Sequence, residues 1–299
     1  MFLLIFTDQY HIKILNIYMD LSDGQEYTAV TINPDVFYHL KEEGFKYTLF
    51  NVEGPGCDEN PALIKFEGCG CTVLSCSEEN CQCNLKNYEN SKLRKSNPFT
   101  SPPIYECNSM CKCSDACENR LVQHGVKTRL EVCNIQYKGK GVKCLENIEK
   151  GRFVCEYAGE VLGYEEAVKR TKNQCSKIGV MNYIISVCEY NSNPNEKPHK
   201  LTFVDPKYIG NVGRFINHSC DPNLVMVPVR VDSDVPHLAL FACKDIEVNS
   251  EITFNYAGNC KSDFIDNSNA NQQNQKPCYC GAISCQKYLP FDSTSLIIE

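Results

Sequence analysis

The sequence has no tryptophan, no long apolar run, no internal repeat and no excess of basic residues. Residues 2–6 are apolar, but Asp8, His11 and Lys13 interrupt the run, and the features of a cleavable signal peptide are missing. A translation start at Met19 is an alternative explanation of this N terminus. No later segment is apolar for long enough to span a bilayer, so we expect no membrane partner. The formal net charge of −7 argues against nonspecific nucleic-acid binding and suits a basic partner.

Cysteine is abundant, with 21 among 299 residues. A first cluster has the spacing C-x-C-x4-C-x4-C-x-C, a second has C-x3-C-x-C-x3-C, and a third near the end has C-x-C-x4-C. Thiols this dense leave no room for an apolar core between them and favour zinc, which takes four thiolates tetrahedrally. The clusters consist of Cys69, Cys71, Cys76, Cys81 and Cys83, then Cys107, Cys111, Cys113 and Cys117, and finally Cys278, Cys280 and Cys285.

The nine cysteines of the first two clusters satisfy three zinc ions if three thiolates bridge, since three times four equals nine plus three. We therefore predict a trinuclear zinc–thiolate cluster. The alternative is a secreted disulfide scaffold. The odd cysteine total, the adjacent sulfurs of the C-x-C steps and a chain long enough to bury a core without crosslinks favour the metal.

Shifts in composition divide the chain into five predicted parts. These are an N-terminal segment (1–56), a zinc-cluster domain (57–119), a β domain (120–258), a flexible linker rich in Asn and Gln (259–277), and a terminal zinc module with its tail (278–299). The zinc would hold the second part together in place of an apolar core.

Short runs rich in β-branched and aromatic residues dominate residues 120–256. They predict strands in LEVCNI, RFVCEYAGEVL, NYIISVCEY, LTFVD, NLVMVPVRV, HLALFACKDI and EITFNY. One helix is predicted in GYEEAVKRTKNQ. Residues 20–56 are predicted to form only short strands and turns. The sequence therefore indicates a mainly β fold with few helices.

Four motifs in one order carry a resemblance to a known family. They are CEYAGE at 155–160, GRFINHSCDPN at 213–223, EITFNY at 251–256 and CYCGAISC at 278–285. Together they resemble a SET-domain protein lysine methyltransferase, and the flanking cysteines resemble the pre-SET and post-SET zinc modules of the suppressor-of-variegation subgroup. The resemblance implies the SET fold of small curved β-sheets, with a knot-like crossing that places RFINHSC beside ITFNY.

The same resemblance implies methyl transfer from S-adenosyl-L-methionine to a lysine amine. Tyr256 matches the catalytic tyrosine, and Tyr157 matches a second hydroxyl that lines the lysine channel. Phe254 occupies the position that tunes the product state. Because phenylalanine leaves space and adds no hydroxyl, we predict di- or trimethylation.

Cofactor-binding residues are carried over in the same way. Asn217 and His218 match the pair that binds the cofactor, Arg214 matches a residue beside it, and Tyr183 matches an aromatic that packs near its methionine part. The cofactor loop, with Lys138, Gly139 and Lys140 among its predicted binding residues, departs from the family, which reads G-W-G where this chain reads GKG at 139–141. Contacts there are chiefly through the backbone, and both glycines that permit close approach remain. Lys140, which stands where the family has tryptophan, removes a large aromatic contact with the cofactor.

Cys220, within NHSC, supplies the fourth ligand that the last cysteine group needs. The resemblance thus implies three zinc ions in the pre-SET module and one in the post-SET module. The last zinc would hold the tail over the active site, with Leu289 and Phe291 covering the cofactor and the lysine channel.

The leading hypothesis is a histone-lysine N-methyltransferase of the nucleus and chromosome, whose partner is the histone H3 tail or the nucleosome. The subgroup implies lysine 9 of histone H3, and a nearer resemblance within the family implies lysine 36. No direct sequence-specific nucleic-acid binding is predicted. The alternatives are a catalytically weakened chromatin-binding module, which Lys140 favours, and a methyltransferase for a non-histone protein.

Overall fold

The computed structural model describes residues 2–7, 11–16, 18–72, 75–76, 81, 83, 87–94, 104–175, 181–189, 200–257 and 276–290. Most of the predicted linker (259–277), namely residues 259–275, therefore lies outside the described residues. The helices are α1 (Pro34–Glu42) and α2 (Tyr164–Cys175), with 3-10 turns at Val122–His124 and Val212–Phe215. The strands are β1 (Phe2–Thr7), β2 (His11–Asn16), β3 (Met19–Asp20), β4 (Val30–Ile32), β5 (Lys46–Tyr47), β6 (Val52–Glu53), β7 (Tyr88–Glu89), β8 (Lys92–Leu93), β9 (Ile104–Tyr105), β10 (Leu130–Ile135), β11 (Gly139–Cys144), β12 (Phe153–Glu156), β13 (Gly159–Leu162), β14 (Ile185–Glu189), β15 (Lys200–Gly210), β16 (Asn217–His218), β17 (Leu224–Arg230), β18 (His237–Ala242) and β19 (Glu251–Phe254).

Three small sheets build the core, and the mainly β fold class is confirmed. Their strand orders are β16-β19-β11-β10-β4-β3, β12-β18-β17-β9, and β14-β15-β13-β6 with β5 beside β15. Apolar side chains from the first two sheets and from β15 meet in the largest buried cluster, which includes Val132, Val154, Val204, Leu240 and Ile252. Burial of such side chains supplies the main driving force for folding.

The segment before the first cysteine cluster belongs to these sheets. Strand β4 pairs in parallel with β10, β5 with β15, and β6 with β13. Helix α1 interrupts this segment, so the prediction of only strands and turns for residues 20–56 is wrong there. The side chain of Asn33 accepts a hydrogen bond from the Asp35 N–H at 2.9 Å, Pro34 occupies the first turn, and Phe37 and Leu40 are buried.

The strand pairing that positions the site is the parallel contact between β16 and β19. Asn217 lies opposite Thr253, and His218 lies opposite Phe254. The predicted placement of NHSC beside ITFNY is confirmed. Strand β19 pairs on its other side with β11, which the strand list from sequence omitted. Its residues GKGVKC lack a strand pattern, and pairing on both sides overrides that weak local preference.

Helix α2 agrees with its prediction, beginning one residue later at Tyr164. Arg170 joins it to β13 and β15, because its guanidinium contacts Glu160 at 2.9 Å and Asp205 at 3.0 Å. No helix in the described part of the chain combines the length and apolarity needed to cross a bilayer.

Candidate active site and cysteine centres

Two tyrosine rings pack against the buried ring of one phenylalanine. Tyr256, just after β19, donates from its hydroxyl to the Ile216 carbonyl at 2.9 Å. Tyr157, just after β12, donates to the Tyr183 carbonyl at 2.5 Å. The Phe254 ring lies 5.8 Å from the Tyr157 ring and 4.9 Å from the Tyr256 ring, centre to centre. The structure therefore brings the predicted Tyr157, Tyr256 and Phe254 together.

Burial raises the pKa of the Tyr157 and Tyr256 hydroxyls well above the ordinary value for tyrosine. Both phenols are thus protonated near neutral pH. Each hydroxyl proton is directed at a backbone carbonyl, so the oxygen lone pairs are free to accept a hydrogen bond from another group.

Asn217 ties the NHSC segment to the predicted cofactor loop. Its side-chain amide donates to the Lys140 carbonyl and to Glu251 Oε1, both at 3.0 Å. The other carboxylate oxygen of Glu251 contacts Lys138 Nζ at 2.7 Å. A Cβ at Gly141 would lie 2.7 Å from the Asn217 amide, so only glycine permits this approach.

Glu251 is a site residue that the motif analysis missed. It opens the EITFNY motif, and its charge at the start of a half-buried strand was the available signal. Lys140, by contrast, points away from this junction. Its ammonium contacts the side-chain oxygen of Asn134, the residue opposite it on β10, at 2.7 Å on the exposed face of the hairpin. The substitution for an aromatic therefore leaves the backbone side of the loop unchanged.

Arg214 lies among three aromatic rings. Its guanidinium carbon is 4.7 Å from the centre of the Phe45 ring, 4.8 Å from Tyr183 and 5.0 Å from Phe215. Such contacts stabilise a cation on the faces of the rings. The buried Nε of Arg214 has no hydrogen-bond partner among the described residues.

His218 contacts both the tyrosine and the cysteine parts of the site. Its Nδ1 accepts from the Tyr256 N–H at 3.3 Å, and its Nε2 lies 3.3 Å from Cys220 Sγ. Burial, together with the nearby Lys138 ammonium, lowers the pKa of His218 to about 4. The ring is therefore neutral near pH 7.

The cysteines of the first two clusters converge. In each of three groups of four, all sulfur atoms lie within 4.8 Å of one another. Cys69 and Cys76 belong to two groups each, and Cys107 belongs to all three. Cys71 falls outside these groups, but its thiol contacts those of Cys69, Cys76 and Cys81. The groups are Cys69, Cys76, Cys81 and Cys107; Cys69, Cys83, Cys107 and Cys111; and Cys76, Cys107, Cys113 and Cys117.

The sulfur spacing matches tetrahedral zinc. A zinc–sulfur bond of about 2.3 Å places two ligand sulfurs about 3.8 Å apart. The separations are 3.7 Å between Cys69 and Cys76, 3.7 Å between Cys76 and Cys107, and 3.8 Å between Cys83 and Cys111. The structure contains no disulfide among the cysteines it describes. The donor set fits zinc.

Polar groups surround these sulfurs as expected for thiolates. The backbone N–H groups of Cys69 and Asn108 donate to Cys111 Sγ at 3.3 and 3.2 Å. The buried guanidinium of Arg120 lies 3.7 Å from Cys113 Sγ and donates to the Asn108 carbonyl at 2.9 Å. N–H donors and a buried cation offset negative charge on sulfur.

The third cluster gathers as predicted around Cys220. The sulfurs of Cys220, Cys278, Cys280 and Cys285 lie within 4.8 Å of one another. The Gln286 N–H donates to Cys220 Sγ at 3.4 Å. Leu289 is half-buried within this module, where its N–H donates to the Lys276 carbonyl at 2.8 Å. Phe291 lies outside the described residues.

Comparisons with known proteins agree with this geometry. The SET domain model matches residues 139–257, and the Pre-SET motif model matches residues 22–120. The histone-lysine N-methyltransferase SETMAR of Homo sapiens is 47% identical over 286 residues, which cover 92% of this chain and 40% of that protein. The chain belongs to the SET-domain family of lysine methyltransferases. SETMAR of Bos taurus is 44% identical over 286 residues, covering 92% of this chain and 90% of that protein.

Solved SET-domain structures show the same fold. The crystal structure of the methyltransferase domain of human SETMAR has a TM-score of 0.76 at 42% identity, covering 91% of this chain and 98% of that chain. KRYPTONITE in complex with mCHH DNA, an H3(1-15) peptide and SAH has a TM-score of 0.66 at 27% identity, covering 91% and 53%. The predicted family is confirmed. The nearer resemblance within the family is confirmed as well. It is carried by YIGNVGRFINHSCDPNL and VPVR, and it is to the methyltransferase part of a SET–mariner transposase fusion protein.

Proposed function

We propose that this SET-domain enzyme transfers methyl groups from S-adenosyl-L-methionine to a lysine of histone H3, lysine 9 or lysine 36, up to the di- or trimethyl state. The observation that carries the proposal is the pair of protonated hydroxyls, Tyr157 and Tyr256, that flank Phe254 with their protons directed at backbone carbonyls. We place its activity on the nucleosome in the nucleus. The acidic net charge of −7 suits a basic histone tail.

Tyr256 acts by position rather than as a base. A lysine amine has an ordinary pKa of about 10.4 and must lose a proton before it can attack a methyl group. Burial in a narrow channel that excludes water disfavours the charged ammonium form, which lowers that pKa. Because the Tyr256 proton is held by the Ile216 carbonyl, the phenol oxygen can accept a hydrogen bond from the neutral amine and orient it.

The residues of the loop and of NHSC fit the cofactor. The Asn217 amide fixes the Lys140 carbonyl, Gly141 leaves space for close approach, and the buried Nε of Arg214 offers a donor suited to a carboxylate. When bound, S-adenosyl-L-methionine supplies an electrophilic methyl group on a sulfonium. The proposed binding residues are Lys138, Gly139, Lys140, Tyr183, Arg214, Asn217 and His218.

The outward direction of Lys140 supports an active enzyme over a weakened binding module. Its ammonium is engaged with Asn134 on the far face of the hairpin, so it does not obstruct the backbone edge that faces Asn217. The lysine leaves the hydrogen bond between the loop and NHSC in place.

We propose four structural zinc ions, three in the pre-SET module and one in the post-SET module. The three cysteines that belong to more than one sulfur group, Cys69, Cys76 and Cys107, are the proposed bridging ligands. Three bridging thiolates are the number that nine cysteines need to give each of three zinc ions four ligands. Such a cluster carries a charge of 6 − 9 = −3, which the Arg120 guanidinium beside Cys113 partly offsets.

The test is methyl transfer from radiolabelled S-adenosyl-L-methionine to nucleosomes and to free histones, followed by mass spectrometry of the labelled peptide. We expect Tyr256→Phe to lower kcat about a hundredfold or more, because the oriented oxygen is lost. Tyr27→Phe, at a tyrosine that is 80% exposed, is the matched control and should leave the rate unchanged. The labelled peptide identifies the lysine.

Equal rates for wild-type and Tyr256→Phe protein would overturn the proposed role of Tyr256. Zinc-loaded, folded protein that binds S-adenosyl-L-methionine in calorimetry but labels no histone would exclude a histone substrate. A non-histone protein would then be the substrate class to test.

A further inference from the structure

Tyr137 has an unusual backbone conformation for its residue type. The Lys138 N–H donates to the Ile135 carbonyl at 3.1 Å, which closes a four-residue turn between β10 and β11 with Tyr137 at its third position. The φ angle of Tyr137 is +65°. Turns that require a positive φ at this position favour glycine or asparagine, because a Cβ is strained there. The turn therefore has a bulky aromatic at a position where glycine would be less strained.

The Tyr137 ring is also exposed at the tip of the hairpin. Its relative exposure is 76%, although tyrosine normally buries much of its ring. The residues that follow Tyr137 are held to the sheet, since Lys138 contacts the carboxylate of Glu251 and Lys140 contacts Asn134.

What Tyr137 contacts is the ring of Tyr279, in the terminal module. The two ring centres are 5.8 Å apart, and the planes are tilted by 35°. Tyr279 lies between Cys278 and Cys280, two of the four cysteines of the third cluster, and is 52% exposed. Aromatic pairs at this separation attract beyond simple burial of area. The tyrosine with the strained backbone, in the SET domain, thus contacts an exposed tyrosine of the terminal module.

Residues 276–290, which comprise the described part of the terminal module and the last two linker residues, also contact the SET domain at other points. Cys220 joins its sulfur cluster, and the Lys276 ammonium contacts the sulfur of Met181 at 3.4 Å. The ring of Tyr137 gives the terminal module an additional contact, with the hairpin of β10 and β11. The residues that follow Tyr137, Lys138 to Lys140, form the proposed cofactor loop. The ring pair is therefore placed to hold the module against that loop.

We propose that Tyr137 and Tyr279 form an aromatic clasp that positions the terminal module against the cofactor hairpin, and that Tyr137 is a positioning residue for cofactor binding. The inference rests on the proposed function, because it takes residues 138–140 as the cofactor loop. Strained residues cluster at active sites and ligand clamps, where the surrounding structure holds them in place, and the strain at Tyr137 agrees with such a role.

The clasp predicts opposite effects on stability and on binding for one substitution. Tyr137→Gly removes the backbone strain, so the thermal midpoint should stay the same or rise. The same change removes one ring of the clasp, so the dissociation constant for S-adenosyl-L-methionine should rise roughly threefold to tenfold. Tyr137→Phe keeps the ring and should bind like wild type. A residue with only a structural role in the turn would not separate the two readouts in this way.

A reporter that does not depend on the cofactor tests the contact itself. The chain has no tryptophan, so Tyr279→Trp introduces a single indole at the clasp. We expect acrylamide to quench this indole more strongly, and its anisotropy to fall, when Tyr137→Gly is added. Adding Tyr137→Phe should change neither signal. Identical quenching with Tyr137 and with Tyr137→Gly would overturn the clasp.

A double-mutant cycle then links the contact to cofactor binding. Tyr137→Gly and Tyr279→Ala should weaken binding by less in combination than the product of their separate effects. Fully independent effects would show that the clasp does not act on the cofactor. If wild-type protein fails to bind S-adenosyl-L-methionine at all, the proposed function fails, while the indole reporter still decides whether the clasp exists.

Discussion

The backbone N–H of Tyr256 donates to Nδ1 of His218 at 3.3 Å, and this bond sets the tautomer of the imidazole. Because Nδ1 accepts, the ring proton lies on Nε2, which is 3.3 Å from Cys220 Sγ. The parallel pairing of β16 with β19 brings the three residues together. One neutral side chain therefore connects a proposed catalytic tyrosine to a proposed zinc ligand.

The first prediction concerns this connection. His218→Phe keeps a planar ring but removes both nitrogens, leaving the Tyr256 N–H without its acceptor. Tyr256 then loses a contact that positions it, and because misplacement of a catalytic group can cost about a hundredfold, we expect kcat to fall roughly tenfold to a hundredfold. Zinc occupancy of the terminal site, measured by competition with a chelator, should fall with it. An unchanged kcat in a folded His218→Phe protein would contradict the prediction.

Phe254→Tyr should shift the product toward monomethyl-lysine. Phe254 is 2% exposed and lies between the two tyrosine rings, so an added hydroxyl would occupy space that further methyl groups need. Mass spectrometry of the peptide product over time measures the shift. The rate of the first methyl transfer is the internal control and should stay within about threefold, since the change removes no oriented hydroxyl. Continued trimethylation by the variant would refute the assignment.

Glu251→Gln should weaken cofactor binding. The carboxylate contacts Lys138 and the Asn217 amide at once, and charge-assisted hydrogen bonds contribute about 1.5–3 kcal/mol. We expect the dissociation constant for S-adenosyl-L-methionine, measured by calorimetry, to rise about tenfold. Glu89→Gln is the matched control, because the side chains of Glu89 and its partner Arg94 are 62% and 39% exposed and such a pair contributes little. Equal effects of the two substitutions would contradict the role of Glu251.

Loss of zinc should affect the two cysteine regions differently. Cys285→Ser removes a ligand of the terminal cluster, so we expect activity to be lost while the thermal midpoint of the SET core stays nearly unchanged. Cys107→Ser removes the sulfur common to all three pre-SET groups and should lower the midpoint and the zinc content together. Elemental analysis should give four zinc ions per wild-type chain. A wild-type chain that binds one zinc ion would contradict the trinuclear cluster.

His237 predicts a pH-dependent part of the stability. Burial alone would lower the pKa of His237, but the Glu156 carboxylate at 2.9 Å from Nδ1 outweighs it and raises the pKa above its ordinary value. The ion pair therefore stabilises the fold fully below about pH 6.5 and loses this contribution as the pH rises through the raised value. The difference in thermal midpoint between wild type and His237→Gln should shrink toward alkaline pH. A constant difference would contradict the pairing.

Local patterns predicted the regular elements well where a strand or helix had a clear period. LEVCNI is β10 from Leu130 to Ile135, and GYEEAVKRTKNQ contains α2. Helix α1 was not predicted although Asn33 and Pro34 form an ordinary helix start, because the flanking runs EYTAVTI and FKYTLF favour strands. Strand β11 could not be predicted in the same way, because its two glycines and two lysines carry no strand preference and its second partner, β19, is distant in sequence.

The sequence by itself determined the chemistry that is available. Cysteine spacing specifies a thiolate donor set for zinc, and the motifs around Tyr157, Asn217 and Tyr256 specify the family. Only the tertiary structure decided which groups meet. It made Cys107 common to three sulfur groups, turned Lys140 away from Asn217 and brought Tyr137 to Tyr279. The physical reason is that spacing along the chain limits which side chains are near neighbours, whereas contacts between distant segments depend on strand pairing and packing of the whole core.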